Sequence, residues 1–226
     1  LLLGTFDFDF FPFCARVQML WPNDKAKSSH KVSLLKRGQL LAKMSFDMIR
    51  STTIIALRST IERRAVIACD GQATLENVVI KSKTRKVHRL YDGTIIGGFA
   101  GATADCLSLL DRFEEHLKEY DGQLRRAAVE LSKEWRMDRT LRYLEAIIVC
   151  AGKEGLLMLS GSGDVLESDD NIFGIGSGGA YALAAAHAII SVTELPIIDV
   201  AKKALEIAGK IDIYTNNHIT LEEVSW

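Results

Sequence analysis

Thr52 and Thr53 are the residues from which chemistry could start. They stand in Arg50-Ser51-Thr52-Thr53-Ile54-Ile55-Ala56-Leu57-Arg58, where an irregular leader meets an apolar run. A threonine hydroxyl is a weak nucleophile unless a base takes its proton. When threonine is the first residue of a mature chain, its own α-amine can do so. That amine has a pKa of roughly 7.7–8.0, so a usable fraction is neutral near pH 7. Thr52 is internal here, so this chemistry requires removal of residues 1–51. Alone, Thr-Thr opening a strand is ordinary β propensity, and its partners must decide. Asp70 before Gly71 reads by itself as a turn former, and Lys86 beside Lys83, Arg85 and Arg89 as part of a solvated basic turn. Together with Thr52 they supply what an N-terminal threonine needs. An ammonium near the hydroxyl favours the alkoxide-like state and depresses the amine's pKa, and a carboxylate keeps that ammonium charged and oriented. Gly97-Gly98-Phe99 adds a strand whose backbone N–H can approach a substrate and hold an oxyanion.

The elements that must position these residues follow from pattern. Thr53–Leu57 and Ala65–Cys69 read as strands around a polar turn, Arg58–Arg64. Asn77–Lys81 is another short strand, and Asp92-Gly93 turns the chain into an apolar strand, Thr94–Gly101. Ala104, Leu107, Leu110, Phe113 and Leu117 then recur at helical spacing, with Thr103 as a suitable N-cap and Asp105 in the first turn. After Asp121-Gly122 a second helix is expected over about Leu124 to Leu144, with Ala127, Ala128, Leu131, Trp135, Leu141 and Leu144 as its apolar side. Strands return at Ala146–Cys150, Leu156–Leu159, Asp164–Leu166 and Ile172–Ile175. Gly176-Ser177-Gly178-Gly179 leads into an Ala-rich helix to about Ile190, and Pro196 opens a last helix, Ile197–Ile213. Strands, two helices, strands, two helices predict an α+β fold of two stacked sheets with a helix pair on each outer face.

Other chemistries fit less well. Gly174-Ile175-Gly176-Ser177-Gly178-Gly179 resembles a phosphate loop, but it comes too late for a full dinucleotide fold and its glycine spacing is wrong. Ser177 is not a nucleophile elbow, because Ile175 stands where Gly-x-Ser-x-Gly requires glycine. His30, His88, His116, His187 and His218 are dispersed without zinc-ligand spacing. Lys plus Arg number 28 against 29 Asp plus Glu, so charge gives no reason to expect nucleic acid as a partner. Cys14, Cys69, Cys106 and Cys150 lack Cys-x-x-Cys spacing, which argues for a reducing compartment and against a disulfide framework. No apolar run reaches the ~18 residues of a membrane span, so no membrane insertion is expected.

Residues 1–51 read as a removable leader. The first block, Leu1–Phe13, is aromatic-rich without a period, and Met19, Met44 and Met48 are alternative starts. From Arg16 to Arg50, eight Lys and Arg residues face only Asp24 and Asp47, with serines between them. That composition is similar to an organelle transit peptide, and Val32–Lys43 has the pattern of a basic amphipathic helix. The expectation is a leader over 1–51 and a working domain over 52–226.

The domain resembles the HslV (ClpQ) family of bacterial-type, proteasome-related peptidases, which are N-terminal-nucleophile hydrolases. The resemblance rests on Thr52-Thr53-Ile54, Asp70-Gly71-Gln72-Ala73-Thr74-Leu75, Lys86-Val87, Arg89-Leu90 and Gly98-Phe99-Ala100-Gly101 with Thr103-Ala104-Asp105. It continues through Ala127–Leu131, Trp135-Arg136, Asp138-Arg139, Leu144-Glu145-Ala146, Gly174 with Gly176–Gly179, and Tyr214-Thr215-Asn216. It implies a four-layer αββα sandwich and a threonine-type endopeptidase, with Thr52 as nucleophile once the Ser51–Thr52 bond is cut. It further implies Lys86 and Asp70 as the charged pair, Gly98 as oxyanion donor and Ser177 beside the threonine amine. It implies no organic cofactor, but a monovalent cation (sodium or potassium) at Gly209, Asp212 and Thr215. The implied assembly is a homo-oligomeric double hexameric ring, fed unfolded proteins by an AAA+ unfoldase ATPase of the HslU (ClpY) type.

The sequence departs from the family in several places. Two extra residues in the Arg58–Arg64 turn should only lengthen a hairpin. Cys69 replaces a glycine, His88 an arginine, and Asp212 a cysteine in the cation loop. Asp212-Ile213-Tyr214-Thr215 is closer to the Asp-x-x-Ser pattern of proteasome β-subunits, so Asp212 either assists the nucleophile or only lines the cation site. The basic leader suggests a eukaryotic, mitochondrial (matrix) version; without a transit peptide the expectation is cytoplasmic. If the leader stays on, the alternative is a non-catalytic ring subunit of the same fold. A related hydrolase of small amides, independent of any ATPase, is the third reading.

Overall fold

The computed structural model describes residues 52–75, 77–101, 103–138 and 146–226. The leader over 1–51, with its alternative starts and amphipathic segment, lies outside the described residues. Strand β1 (Thr53–Ser59) is the centre of the first sheet, between β10 (Ile172–Gly176) and β2 (Arg64–Cys69), with β11 (Thr220–Ser225) on the far side of β2. The second sheet runs β5 (Val87–Leu90), β6 (Ile95–Gly101), β7 (Ala146–Ala151), β8 (Leu156–Ser160) and β9 (Val165–Glu167), antiparallel throughout. A small hairpin, β3 (Ala73–Leu75) with β4 (Val78–Lys81), stands apart from both.

Burial explains why β1 reads as a continuous apolar run. Ile54 and Ala56 face the second sheet, with Ile67, Val87, Ile96 and Val149. Ile55 and Leu57 face the opposite way, onto helices α3 (Gly179–Val192) and α4 (Ile197–Ile211). A strand covered on both faces has no polar side to alternate with. The second sheet is covered in turn by α1 (Thr103–Glu119) and α2 (Leu124–Met137), around fully buried Phe113 and Trp135. Helix pair, sheet, sheet, helix pair is the four-layer order expected from the sequence.

Several details differ from the sequence reading. α2 ends at Met137, because Asp138 turns extended, so the helix does not reach Leu144; Leu141 and Leu144 lie outside the described residues. α1 begins at Thr103 itself. β3, β5 and β11 are not among the expected strands, and α4 ends at Ile211 rather than Ile213 because Asp212 turns extended. The lengthened Arg58–Arg64 turn is also more than added length: Glu62 Oε1 accepts the Ile197 N–H at 3.0 Å, capping α4 where Pro196 offers no side-chain cap. Among the described residues no helix is long and apolar enough to cross a membrane.

Cys69, Cys106 and Cys150 are free and buried. Burial pushes the Cys69 thiol up to about 11, against the pull of nearby Lys86, and Cys106 up to about 12; Cys150 is pushed up as well. The thiolate is the reactive form. Iodoacetamide at pH 8 is therefore expected to spare all three in the folded protein and to alkylate them in urea, read by peptide mass spectrometry. Rapid labelling of any one in the folded state would contradict this burial.

Candidate active site

The pairing of β1 with β2 builds the first half of the site. Ile54 lies opposite Cys69, so the next residue of β2's chain, Asp70, falls beside Thr53. The two lock together by backbone and side chain: Asp70 N–H donates to the Thr53 carbonyl at 3.1 Å, and Thr53 N–H donates to Asp70 Oδ1 at 2.8 Å. Lys86, one residue before β5, donates from Nζ to the same Oδ1 at 2.7 Å. The other oxygen, Oδ2, accepts the Gln72 N–H at 2.8 Å and the Asn216 N–H at 3.4 Å. Both Asp70 and Lys86 are buried. Burial pulls the Lys86 ammonium below the ordinary lysine value, and Asp70 raises it part of the way back. A charged pair out of water needs such full hydrogen bonding to persist. The two charges predicted from sequence are thus joined, and their shared oxygen is bonded to the residue next to Thr52.

The glycine-rich turn after β10 builds the second half. Thr53 pairs with Gly176, and the Ser177 N–H donates to the Thr52 carbonyl at 3.0 Å. Gly176 has φ +87°, and a Cβ there would lie 1.7 Å from the Thr52 oxygen, so only glycine permits this approach. Ser177 therefore sits against Thr52, held by its backbone. One residue on, Gly178 N–H donates to Thr53 Oγ1 at 2.9 Å, and Thr53 Oγ1 lies 2.6 Å from Thr215 Oγ1. In the sequence Thr53 shows only strand propensity, which gives no sign of these buried hydrogen bonds of its hydroxyl.

Gly98 is placed differently from its expected role. It pairs with Val87 on one side and Val149 on the other, in the middle of β6. The next residue, Phe99, donates its N–H to the Lys86 carbonyl at 3.3 Å, toward β5. Alternation in an antiparallel sheet then turns the Gly98 N–H the other way, into the ladder with β7. Its Cα faces Ile67 and Ile54 between the sheets. An oxyanion donor needs an N–H aimed out of the ladder, so the assignment to Gly98 is corrected. Gly101 has the orientation of Phe99, ends β6 beyond the end of β5, is exposed, and has φ +142°. Both glycines stand in Gly98-Phe99-Ala100-Gly101, and the sequence alone does not distinguish the directions of their N–H groups.

Gly209, Asp212 and Thr215 come together at the end of α4. Asp212 caps the helix and its carbonyl accepts the Thr215 N–H at 3.1 Å. Its Oδ1 accepts the Tyr214 N–H at 3.1 Å and its Oδ2 the Thr215 hydroxyl at 2.5 Å. A Cβ on Gly209 would stand 2.7 Å from Asn217 Oδ1 and 3.6 Å from the Thr215 carbonyl oxygen, so the loop after α4 packs close over this glycine. Clustered backbone oxygens are donors suited to a hard cation. Among the described residues no group of three His, Cys, Asp or Glu side chains could hold a metal ion.

Comparison with known proteins bears on the whole domain. The family model described as "Proteasome subunit" matches residues 48–224. An "ATP-dependent protease subunit HslV" from Chlorobium luteolum is 51% identical over 177 residues, covering 78% of this chain and 96% of that protein. One of the same description from Thermoanaerobacter sp. is 52% identical over 176 residues, covering 77% and 99%. Among solved structures, eukaryotic HslV from Trypanosoma brucei superposes with a TM-score of 0.72 at 42% identity, covering 77% of this chain and 99% of that one. With an αββα sandwich and a match over nearly the whole length of such relatives, the chain belongs to the HslV group of the proteasome family, the threonine peptidases of an ATP-dependent protease.

Proposed function

We propose that residues 1–51 are removed and that Thr52, as the new N-terminus, is the nucleophile that cuts peptide bonds of unfolded proteins. Thr52 Oγ attacks the peptide carbonyl carbon while its proton passes to the Thr52 α-amine. The Lys86 ammonium, held by Asp70, favours the developing alkoxide electrostatically. A backbone N–H at the end of β6, which we assign to Gly101, holds the oxyanion. The protonated amine then gives its proton to the leaving amine, and the C–N bond breaks. Water, deprotonated by the same amine, cleaves the acyl ester and restores the hydroxyl. Ser177, against Thr52, is assigned to hold the amine. The single observation that carries this reading is Asp70 Oδ1, which binds both Lys86 Nζ and the N–H next to Thr52.

Three finer points are part of the proposal. The working form is a homo-oligomeric double ring of hexamers with an AAA+ ATPase of the HslU type. Gly209, Asp212 and Thr215 would hold a sodium or potassium ion through oxygen donors, supplying a fixed positive charge that steadies the loop carrying Asn216. The basic, acid-poor leader directs the chain to the mitochondrial matrix. The catalytic reading turns on the mature N-terminus. The protein from its native cells is expected to begin at Thr52 on N-terminal sequencing, and to degrade casein only with the partner ATPase and ATP. A mature chain that begins elsewhere leaves the non-catalytic ring subunit. ATPase-independent turnover of small amides with no casein degradation points to the amidohydrolase.

A further inference from the structure

We infer that Thr53, the second threonine, is a positioning residue whose hydroxyl fixes the backbone of Thr52; the inference rests on Thr52 being the nucleophile. A carboxylate only accepts hydrogen bonds, so the Thr215 hydroxyl proton points to Asp212 Oδ2 at 2.5 Å. Thr215 Oγ1 can then only accept from Thr53 at 2.6 Å, and the Thr53 hydroxyl is the donor of that pair. Thr53 Oγ1 in turn accepts the Gly178 N–H at 2.9 Å. Each proton in this chain has one place: Gly178 to Thr53, Thr53 to Thr215, Thr215 to Asp212.

Thr53 thereby ties together the two halves of the site. Its backbone N–H and carbonyl are both bonded to Asp70, the partner of Lys86. Its side chain holds the turn whose Ser177 N–H grips the Thr52 carbonyl. Thr53 is fully buried. A Cβ on Gly178 would meet Thr53 Oγ1 and Thr215 Oγ1 at 2.6 Å each, so the turn is packed against both hydroxyls, and in Thr53→Val a methyl rather than a water takes the place of the lost oxygen. Valine fills the same shape as threonine but leaves the buried Gly178 N–H without an acceptor. The turn must then move to find one, and Thr52 moves with it. Small displacements of a reacting group are costly: about 1 Å can cost on the order of 10²-fold in rate.

The test is steady-state hydrolysis of a fluorogenic peptide by mature wild type, Thr53→Val, Thr53→Ser, Thr215→Val and Thr52→Ala, with thermal melting of each. Thr53→Val is expected to lose about 10- to 100-fold in kcat with KM within about twofold. Thr53→Ser is expected to recover kcat to within about threefold, since it restores the hydroxyl. Thr215→Val, which removes the acceptor of the same proton without touching β1, is expected to lose kcat in the same sense and stands in if Thr53→Val does not fold. A wild-type kcat in Thr53→Val, or Thr53→Ser as impaired as Thr53→Val, overturns the inference. So does Thr215→Val at wild-type kcat. Thr52→Ala separates the two levels. If it is inactive while Thr53→Val keeps full kcat, only the positioning role fails. If Thr52→Ala is active, the nucleophile assignment itself fails.

Discussion

Thr52→Ala, prepared to begin at residue 52, is expected to lose peptide hydrolysis by on the order of 10³-fold or more while folding normally. The chemical loss is large because nothing else described in the site can replace the nucleophile. Ser177 is adjacent, but the bond that brings it there is a backbone one, to the Thr52 carbonyl. Lys86 Nζ is committed to Asp70, as a cation should be if its role is electrostatic. The structural loss is small for the same reason. The contact that places Thr52 against the turn uses its carbonyl, which alanine keeps. Thr52→Ser, which keeps the oxygen, is expected to retain substantial activity. Fluorogenic peptide turnover beside a urea denaturation curve checks both halves. Alanine activity within tenfold of wild type would sink the assignment.

The parts of the fold that were legible in the sequence are those where burial leaves a period. β1 and β2 are covered on both faces and read as apolar runs, and α1 shows its core face at spacings of three and four. β11 was not legible because Glu222 and Glu223 sit consecutively in it. They are tolerated at a sheet edge because Arg85, Arg89 and Arg64 neutralise them, and those arginines are over a hundred residues away in sequence. The site divides in the same way. Asp70 and Lys86 could be nominated by residue type, since a threonine nucleophile calls for an ammonium and a carboxylate to hold it, although each alone reads as an exposed turn residue. The proposed oxyanion donor could not, because a backbone N–H is the same at Gly98 and Gly101, and only strand alternation distinguishes them. Thr53 was hidden by its own propensity: a β-branched residue in a strand needs no further explanation until its hydroxyl is found buried.

Asp70→Asn and Lys86→Met are both expected to remove activity, by about 10²-fold or more, but to differ in stability. Asparagine keeps the shape of Asp70 and turns one oxygen into NH2. One side of that carboxylate faces Thr53 N–H and Lys86 Nζ, and the other faces the N–H groups of Gln72 and Asn216. Whichever way the amide turns, a donor meets a donor, and the buried ammonium loses its counter-charge. Breaking a buried pair this way costs about 3–5 kcal/mol. Methionine at 86 fills the space without charge, and Asp70 keeps its three backbone donors, so the cost is expected to be about 1–2 kcal/mol. Urea denaturation should therefore rank wild type, then Lys86→Met, then Asp70→Asn. The pH dependence gives an independent sign. Burial holds Lys86 below its unfolded value of 10.5, so the folded state releases the proton first. Stability from this group is present above 10.5 and is lost as pH falls through the lower, folded value. Wild type should gain stability relative to Lys86→Met as pH is raised toward 10.5, while its own activity falls, because the chemistry uses the ammonium and the fold prefers the amine. A wild type that loses stability relative to Lys86→Met over that range would mean that attraction to Asp70 outweighs burial.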